Sequence, residues 1–464
     1  RKGAEQLPLA KDANQVAAIV HAFNAQLTII SGGPGTGKTT VVANLLRCLA
    51  ESGIVTERML LTAPTGRAAQ RMTETLKTLL QSVLDPTPCD TTLQSMQSRT
   101  LHSALGYRHP GRFIYTSQNP LPVDVVVVDE ASMVDVVLMS QFVCALDPMK
   151  TRLVLLGDPD QLPAVAAGSV FARMTAADED DRGFFGCQVA LEQGFRSGSA
   201  LTQLAQEIRR GVFPEHRPQT IQTAFIQNPE KPWVRLESPE LKYWPAALKA
   251  WADFFKDSYD KMLRRALHDL RYISVRDLPG ADSVFSQVIA KLLKITTVAR
   301  ILTLVRKGPW GCEEINAYLT PRLANELDSG GDPVMGLFAG MPVMMTRNDS
   351  ENRLYNGDVG VVVVLEEGYY VAFHSSGGFV VLPVNQLSAW EPAMAVTVHK
   401  SQGSEYRHIF LVLPDDPTHR LLSREMVYTA VTRAQKQLVI WGAVDVLQAA
   451  VSRKAMWPLD RAII

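Results

Sequence analysis

The stretch Gly32-Gly33-Pro34-Gly35-Thr36-Gly37-Lys38-Thr39 concentrates more chemistry than any other in the chain. It fits the pattern G-x-x-x-x-G-K-[ST], whose glycines let backbone N–H groups wrap a phosphate. An apolar run at 27–30 precedes it. A helical stretch at 39–50 follows, with Val42, Leu45, Leu46 and Leu49 on one face. A helix beginning there adds the positive end of its dipole. Lys38 supplies a point charge for the β- and γ-phosphates, and the Thr39 hydroxyl is a ligand for Mg²⁺. Asp129-Glu130 follows Val125–Val128, a β-branched run of the kind buried on both faces of a sheet. An Asp at such a strand end can hold Mg²⁺ through water, and the adjacent Glu can serve as general base on an attacking water. Gly157-Asp158-Pro159-Asp160-Gln161-Leu162 follows a third apolar run at 153–156. A Gln there can hydrogen-bond the γ-phosphate or the water.

Such residues need a scaffold that brings strand ends to one edge. Strands alternating with helices imply a parallel sheet with right-handed crossovers, the α/β class that gathers a mononucleotide site at its strand ends. Candidate strands lie at 27–30, 59–62, 125–128 and 153–156. Residues 106–122 carry Gly, Pro and Asn around Phe113, Ile114 and Tyr115, and read as a hairpin at the sheet's edge. Its aromatic residues, with Tyr107, can pack it on the sheet, stack on a base or form a strand-splitting pin. From 244 to about 304 the pattern is mainly helical. Short β-rich runs at 359–365, 369–373 and 379–382, divided by glycine turns, suggest a small barrel or sheet inserted in a second α/β domain. Buried strands resume at 409–413 and 438–441.

Composition limits the function. Hydrophobic residues make up 46% of the 464 and charged residues 20%, which excludes a disordered chain. Lys+Arg and Asp+Glu both number 47, so no global field attracts nucleic acid and any grip on it must be local. No apolar run reaches the ~18 residues of a membrane span. Residues 1–10 lack a signal-peptide core. Cys48, Cys89, Cys144, Cys187 and Cys312 are scattered and form no Cys-x-x-Cys pair. That argues against zinc and a disulfide framework and fits a reducing cytoplasm. The chain opens on Arg1, as a piece of a longer protein would.

The motifs together resemble superfamily 1 helicases. Residues 61–69, Leu-Thr-Ala-Pro-Thr-Gly-Arg-Ala-Ala, look like motif Ia, and Thr100-Leu101-His102 resembles the DNA-contacting motif that follows. Asp129-Glu130-Ala131-Ser132 looks like motif II, Gly157–Gln161 like motif III, and Gly194-Phe195-Arg196-Ser197 like motif IV. Residues 396–405, which include Thr397, His399 and Glu405, look like motif V, and 427–434 like motif VI. Within the superfamily the wording of motif V, Ser132-Met133, Gly308–Gly311 and Arg347–Ser350 resembles the RecD family, the α subunits of the RecBCD (exonuclease V) complex.

The resemblance implies a set of roles. ATP and Mg²⁺ are the cofactors. Gln15 resembles the adenine-reading Gln. Gly33, Gly35, Thr36, Gly37, Lys38, Thr39 and Thr40 line the phosphates. Asp129 joins Thr39 on the metal. Arg196 and Arg433 look like the two arginines that reach the γ-phosphate, with Arg433 after a helix capped by Ser423, and Glu405 like the residue that contacts the ribose. Thr65, Arg67, His102, Asn348, Thr397 and His399 are the implied contacts to single-stranded DNA. Motion is implied to be 5′→3′, in double-strand-break repair and DNA end processing, with RecB-like and RecC-like partner subunits. Full-length members carry an N-terminal partner-docking region, whereas this sequence begins near Gln15.

The expected architecture is two RecA-like domains of the P-loop NTPase kind with ATP in the cleft between them. The first spans 1–190, with the hairpin at 106–122. The second spans 191–319 and 393–464, with a β-rich insertion at 320–392. ATP-driven closure and opening of the cleft would ratchet DNA grips on the two domains. Two other readings stay open on sequence alone: a stand-alone RecD-like helicase or relaxase helicase domain, and a nucleotide-holding scaffold subunit that does no work.

Overall fold

The computed structural model describes residues 12–455 except 109–111, 164–167, 169, 177–183, 185, 193–199, 214–232, 238–242, 260, 278–283, 328–335, 350, 353 and 376–377. The chain divides into two compact units, the first comprising the chain up to Gly198 together with the segment from Ala455 onward, the second Ser199–Lys454. No helix among the described residues is long and apolar enough to cross a membrane.

Unit 1 is built on six strands: β1 (Leu27–Gly32), β2 (Met59–Ala63), β3 (Arg99–Thr100), β4 (Val125–Val128), β5 (Arg152–Gly157) and β6 (Gln188–Leu191). They lie in the order β3-β2-β4-β5-β1-β6, and every pairing is parallel. Successive side chains of a strand point to opposite faces, so each apolar run feeds two cores at once. Ile30, Val125 and Val127 join the core under helices Ala13–Asn24, Lys38–Glu51 and Gly66–Gln81. Ile29, Val126 and Val128 join the core under helix Val136–Cys144, which contributes Leu138, Met139 and Phe142. That is why these runs are continuous rather than alternating. The boundary expected at 190 falls within β6.

Among the described residues, 106–122 hold no hairpin of two strands. Their cross-chain pairing includes an isolated antiparallel bridge between Thr116 and Asn119 and a bond from the Arg108 N–H to the Arg112 carbonyl at 3.1 Å. The N–H groups of Ile114 and Tyr115 donate instead to the Leu105 carbonyl, at 3.0 and 3.1 Å, folding the segment back on helix Leu101–Ala104. Pro120 and Pro122 lack the N–H a ladder would need. Phe113 and Tyr115 pack partly buried on the lower core, while Tyr107 remains 47% exposed.

Unit 2 holds two sheets. The first of its strands is β7 (Trp233–Glu237), followed by β8 (Ala299–Thr303), β9 (Pro342–Met345), β10 (Val359–Leu365) and β11 (Gly368–Ser375). Then come β12 (Gly378–Pro383), β13 (Trp390–Pro392), β14 (Ala395–Thr397), β15 (Tyr406–Val412) and β16 (Ala434–Trp441). One sheet is parallel, in the order β14-β8-β15-β16-β7. The other is antiparallel, in the order β12-β11-β10-β9-β13. The antiparallel strands span Pro342–Pro392. The insertion boundary expected at 320 falls inside helix Cys312–Leu327, because Ile315, Leu319 and Leu323 bury that helix in the core of the unit.

The His408 ring on β15 meets Phe254 edge-on, with centroids 4.9 Å apart, and pairs with the Gln437 amide at 2.7 Å. Burial pushes its pKa from the ordinary 6.5 down to about 4, against the pull of Gln437. The unfolded chain therefore takes up a proton near 6.5 that the folded unit refuses until about 4. Stability from the neutral ring is complete above that window and declines as pH falls through it. Thermal unfolding followed from neutral pH to about 4 should show a falling Tm, and His408→Gln should flatten that fall.

Candidate active site

Strand order decides which loops meet. Since β5 lies between β4 and β1, the C-terminal ends of these three neighbours stand side by side, with Ser31 opposite Gly157 and Leu155 opposite Val128. The phosphate loop leaves β1, Asp129-Glu130 leaves β4 and Asp158 leaves β5. In the loop, Gly35 (φ 79°) and Gly37 (φ 84°) adopt the left-handed region that suits glycine. Gly37 caps helix Lys38–Glu51 and brings no side-chain bond, so the helix's first N–H groups point at whatever anion the loop cradles. At Gly32 a Cβ would lie 2.7 Å from Thr36 Oγ1 and 3.1 Å from Leu191.

Lys38 Nζ donates to the carbonyls of Gly32 (2.6 Å) and Gly33 (3.1 Å), which lays the ammonium across the loop. Two carboxyls, the half-buried Asp129 and the buried Asp158, feel it. Burial and then the neighbouring Glu130 charge push Asp129 up to about 6, while Lys38 and Arg71 pull it down. Burial likewise raises Asp158, again opposed by Lys38. Asp158 Oδ2 accepts a 3.0 Å bond from Gln161 Nε2, so the Gln161 amide is oriented by a carboxylate. Asp158 had no role assigned from sequence. The signal for it was its position at the end of the strand beside the phosphate-loop strand. Glu130 sits at φ 53°, the one non-glycine at positive φ among the described residues, and its N–H donates to Asp129 Oδ1 at 2.9 Å. A side chain in that region costs on the order of 1 kcal/mol, and such strain concentrates at functional sites. Gln15, buried on helix Ala13–Asn24, donates through Nε2 to the Thr36 carbonyl at 3.0 Å, and Thr36 Oγ1 donates to Gly33 at 2.9 Å. Thr39 and Thr40 occupy the first turn of helix Lys38–Glu51.

The donor set suits a hard cation. Asp129 and the Thr39 hydroxyl offer oxygens, and among the described residues no group of three or more His, Cys, Asp or Glu could hold a metal alone. An ion here would complete its shell with phosphate oxygens and water, as Mg²⁺ does.

The implied DNA contacts fall into two sets. In unit 1, Thr65 follows β2 and its hydroxyl accepts the Ala68 N–H at 3.2 Å, capping the helix on which Arg67 sits. His102 follows β3, which pairs with the end of β2, and its exposed ring meets Tyr107 edge-on at 5.6 Å. In unit 2, Thr397 ends β14 and its hydroxyl accepts the Lys400 N–H at 3.4 Å. His399 lies in the turn His399–Ser401, where burial holds its imidazole below the usual range. Asn348 lies between β9 and β10, its side-chain Oδ1 accepting the Asn356 N–H at 2.8 Å. Arg433, buried at the end of helix Arg424–Thr432, donates to the carbonyls of Thr429 (3.2 Å) and Ser404 (3.3 Å). Ser423 caps that helix by accepting from the Met426 N–H. Glu405, next to Ser404, accepts from Gln435 Nε2 at 2.9 Å. Arg196 lies outside the described residues.

A family model described as an AAA domain matches residues 15–167, and a UvrD-like helicase C-terminal domain matches residues 392–441. The first match spans the phosphate loop, Asp129-Glu130 and Asp158, and agrees with the P-loop NTPase class of the parallel α/β sheet. The RecBCD enzyme subunit RecD of Mycolicibacterium smegmatis is 35% identical, over 95% of this chain and 73% of its own. The RecBCD enzyme subunit RecD of Haemophilus influenzae is 30% identical, over 94% and 70%. The ATP-dependent RecD2 DNA helicase of Deinococcus radiodurans is 28% identical, over 92% of this chain and 48% of its own.

Because a Cβ at Gly32 meets Thr36 and Leu191, Gly32→Ala should displace the loop that Lys38 and Gln15 brace. The expected cost is about 1–3 kcal/mol of stability, with at least a tenfold loss of affinity for a fluorescent ATP analogue. Denaturant titration and fluorescence binding measure the two effects.

Proposed function

This chain belongs to the RecD family of RecBCD helicase subunits, and from that membership we propose that it is an ATP-driven motor on single-stranded DNA. It is a RecD-type DNA helicase motor subunit with ATPase activity. The observation that best supports a working motor is the joining of the phosphate loop, Asp129-Glu130 and Asp158-Gln161 at three adjacent strand ends. A chain that only held nucleotide would need the first of these and not the other two.

The roles follow from charge. Gly33, Gly35, Thr36, Gly37 and Thr40 present amides and hydroxyls to the phosphates, and Gln15 reads the adenine edge. Thr39 and Asp129 hold Mg²⁺, which neutralises phosphate oxygens when bound. Lys38 adds charge between the β- and γ-phosphates. Glu130 takes a proton from the attacking water, and Gln161, steadied by Asp158, orients that water. Arg433 and Arg196 meet the negative charge that develops on the transferred phosphoryl group, and Glu405 contacts the ribose. Thr65, Arg67, His102, Asn348, Thr397 and His399 grip the DNA backbone without reading sequence, as a zero net charge with local contacts allows. Motion is 5′→3′, and RecB-like and RecC-like subunits are the partners in DNA end processing.

ATP hydrolysis by the purified chain, with and without single-stranded DNA, tests this reading. DNA should stimulate turnover strongly, and Lys38→Gln should reduce the stimulated rate at least ~10²-fold, the usual cost of one electrostatic group at a reacting centre. Bound nucleotide with no stimulation would return the scaffold reading to favour. Stimulated turnover unchanged in Lys38→Gln would defeat the assignment of the loop.

A further inference from the structure

The two sheets of unit 2 meet at their edges. β13 is the edge strand of the antiparallel sheet, β14 is the edge strand of the parallel sheet, and Ala393 and Met394 alone connect them. Five residues beyond Met394, the chain makes the turn His399–Ser401, one residue after Thr397 at the end of β14. Two side chains brace this crossing. Asn316, buried on helix Cys312–Leu327, donates through Nδ2 to the carbonyls of Pro392 and Ala395, both at 2.9 Å. Its Oδ1 accepts the Ala395 N–H at 2.8 Å. Both amide hydrogens and the oxygen are thus used across the last residue of one sheet and the first of the other. Glu391, on β13, takes Lys400 Nζ at 2.6 Å. The two side chains are only 20% and 29% exposed, so the pair is better shielded than an ordinary surface ion pair. Arg306 flanks Glu391 at 3.9 Å while bonded to Glu313 at 2.5 Å.

We propose that Glu391 is a positioning residue for DNA binding: with Asn316 it fastens the Thr397–His399 turn to the inserted sheet, and Lys400 serves as the strut rather than as a phosphate ligand. The inference rests on the reading of Thr397 and His399 as DNA contacts. A lysine in a motif that touches DNA is the obvious phosphate partner, yet its ammonium is directed along the chain to a carboxylate nine residues back. The two assignments predict opposite signs. If Lys400 is a strut, removing Glu391 lets the turn drift and weakens DNA binding. If Lys400 is a phosphate ligand held in check by Glu391, removing Glu391 frees a positive charge and tightens binding.

Equilibrium binding of a short fluorescein-labelled oligothymidylate, measured across a salt series, separates them. E391Q and K400Q should each raise Kd roughly fivefold to tenfold, and the double variant should be no worse than either, since both remove one coupling. The slope of log Kd against log salt should match the unaltered chain in all three. The swapped pair E391K/K400E should recover binding that each single reversal weakens, which a general folding defect would not do. Hydrolysis of ATP without DNA should be unchanged in E391Q. Tighter binding by E391Q, or a salt slope smaller by about 0.7 in K400Q, would make Lys400 a phosphate contact and overturn the proposal. So would unaltered binding in both single variants while the parent chain binds normally. Failure of the parent chain to bind the oligonucleotide would instead overturn the function reading and this inference with it.

Discussion

Two carboxylates buried at one sheet edge are tolerable only if a cation is held beside them. Asp158 is buried and Asp129 half-buried at such an edge; burial raises both, and the Lys38 charge opposes that rise. The ammonium in turn needs a place to rest, and the carbonyls of Gly32 and Gly33 provide it. Those carbonyls are presented only because Gly35 and Gly37 turn the chain through left-handed geometry. Gln15 reaches over from a neighbouring helix to the Thr36 carbonyl and keeps that turn from relaxing. The rest of unit 1 follows from this. Strands must be parallel to end at one edge, their connections must be helices, and both faces must be covered, which the doubly buried valine runs achieve.

Unit 2 solves a different problem. A parallel sheet and an antiparallel sheet have to be joined without leaving buried main-chain groups unpaired where the two ladders stop. Asn316 supplies the missing partners for Pro392 and Ala395, and the Met394 carbonyl accepts the Ile301 N–H at 3.0 Å. On the other flank, the Tyr259 hydroxyl donates to the Gly340 carbonyl at 2.6 Å just before β9. Entry to and exit from the inserted sheet are therefore both pinned by side chains distant in sequence.

Much of this was legible in the residues, and what was not has physical reasons. The phosphate loop was readable because its glycines answer a local backbone need, and Val125–Val128 because burial on both faces leaves no polar alternation. The 106–122 segment misled because turn-forming residues mark chain reversal without saying where the hydrogen bonds go, and they go to Leu105. Trp233–Glu237 escaped notice as a five-residue edge strand amid a stretch with little pattern. The boundary expected at 320 falls inside helix Cys312–Leu327, which the residues on its inner face pack into the unit 2 core. Asn316 was invisible, since its partners lie 76 and 79 residues away. Asp158 was in view but mute, because a carboxylate acquires meaning from the lysine and glutamine around it.

Glu130 places this chain's chemistry and its durability in opposition. The residue holds a left-handed backbone that glycine would adopt without penalty, yet glycine has no carboxylate. Part of that cost is offset locally, since the Glu130 N–H donates to Asp129 Oδ1 at 2.9 Å and its carbonyl accepts the Met133 N–H at 2.9 Å. Selection acting on persistence alone would favour glycine or asparagine at this position. A glutamate at φ 53° is what the proposed role of general base requires this turn to carry.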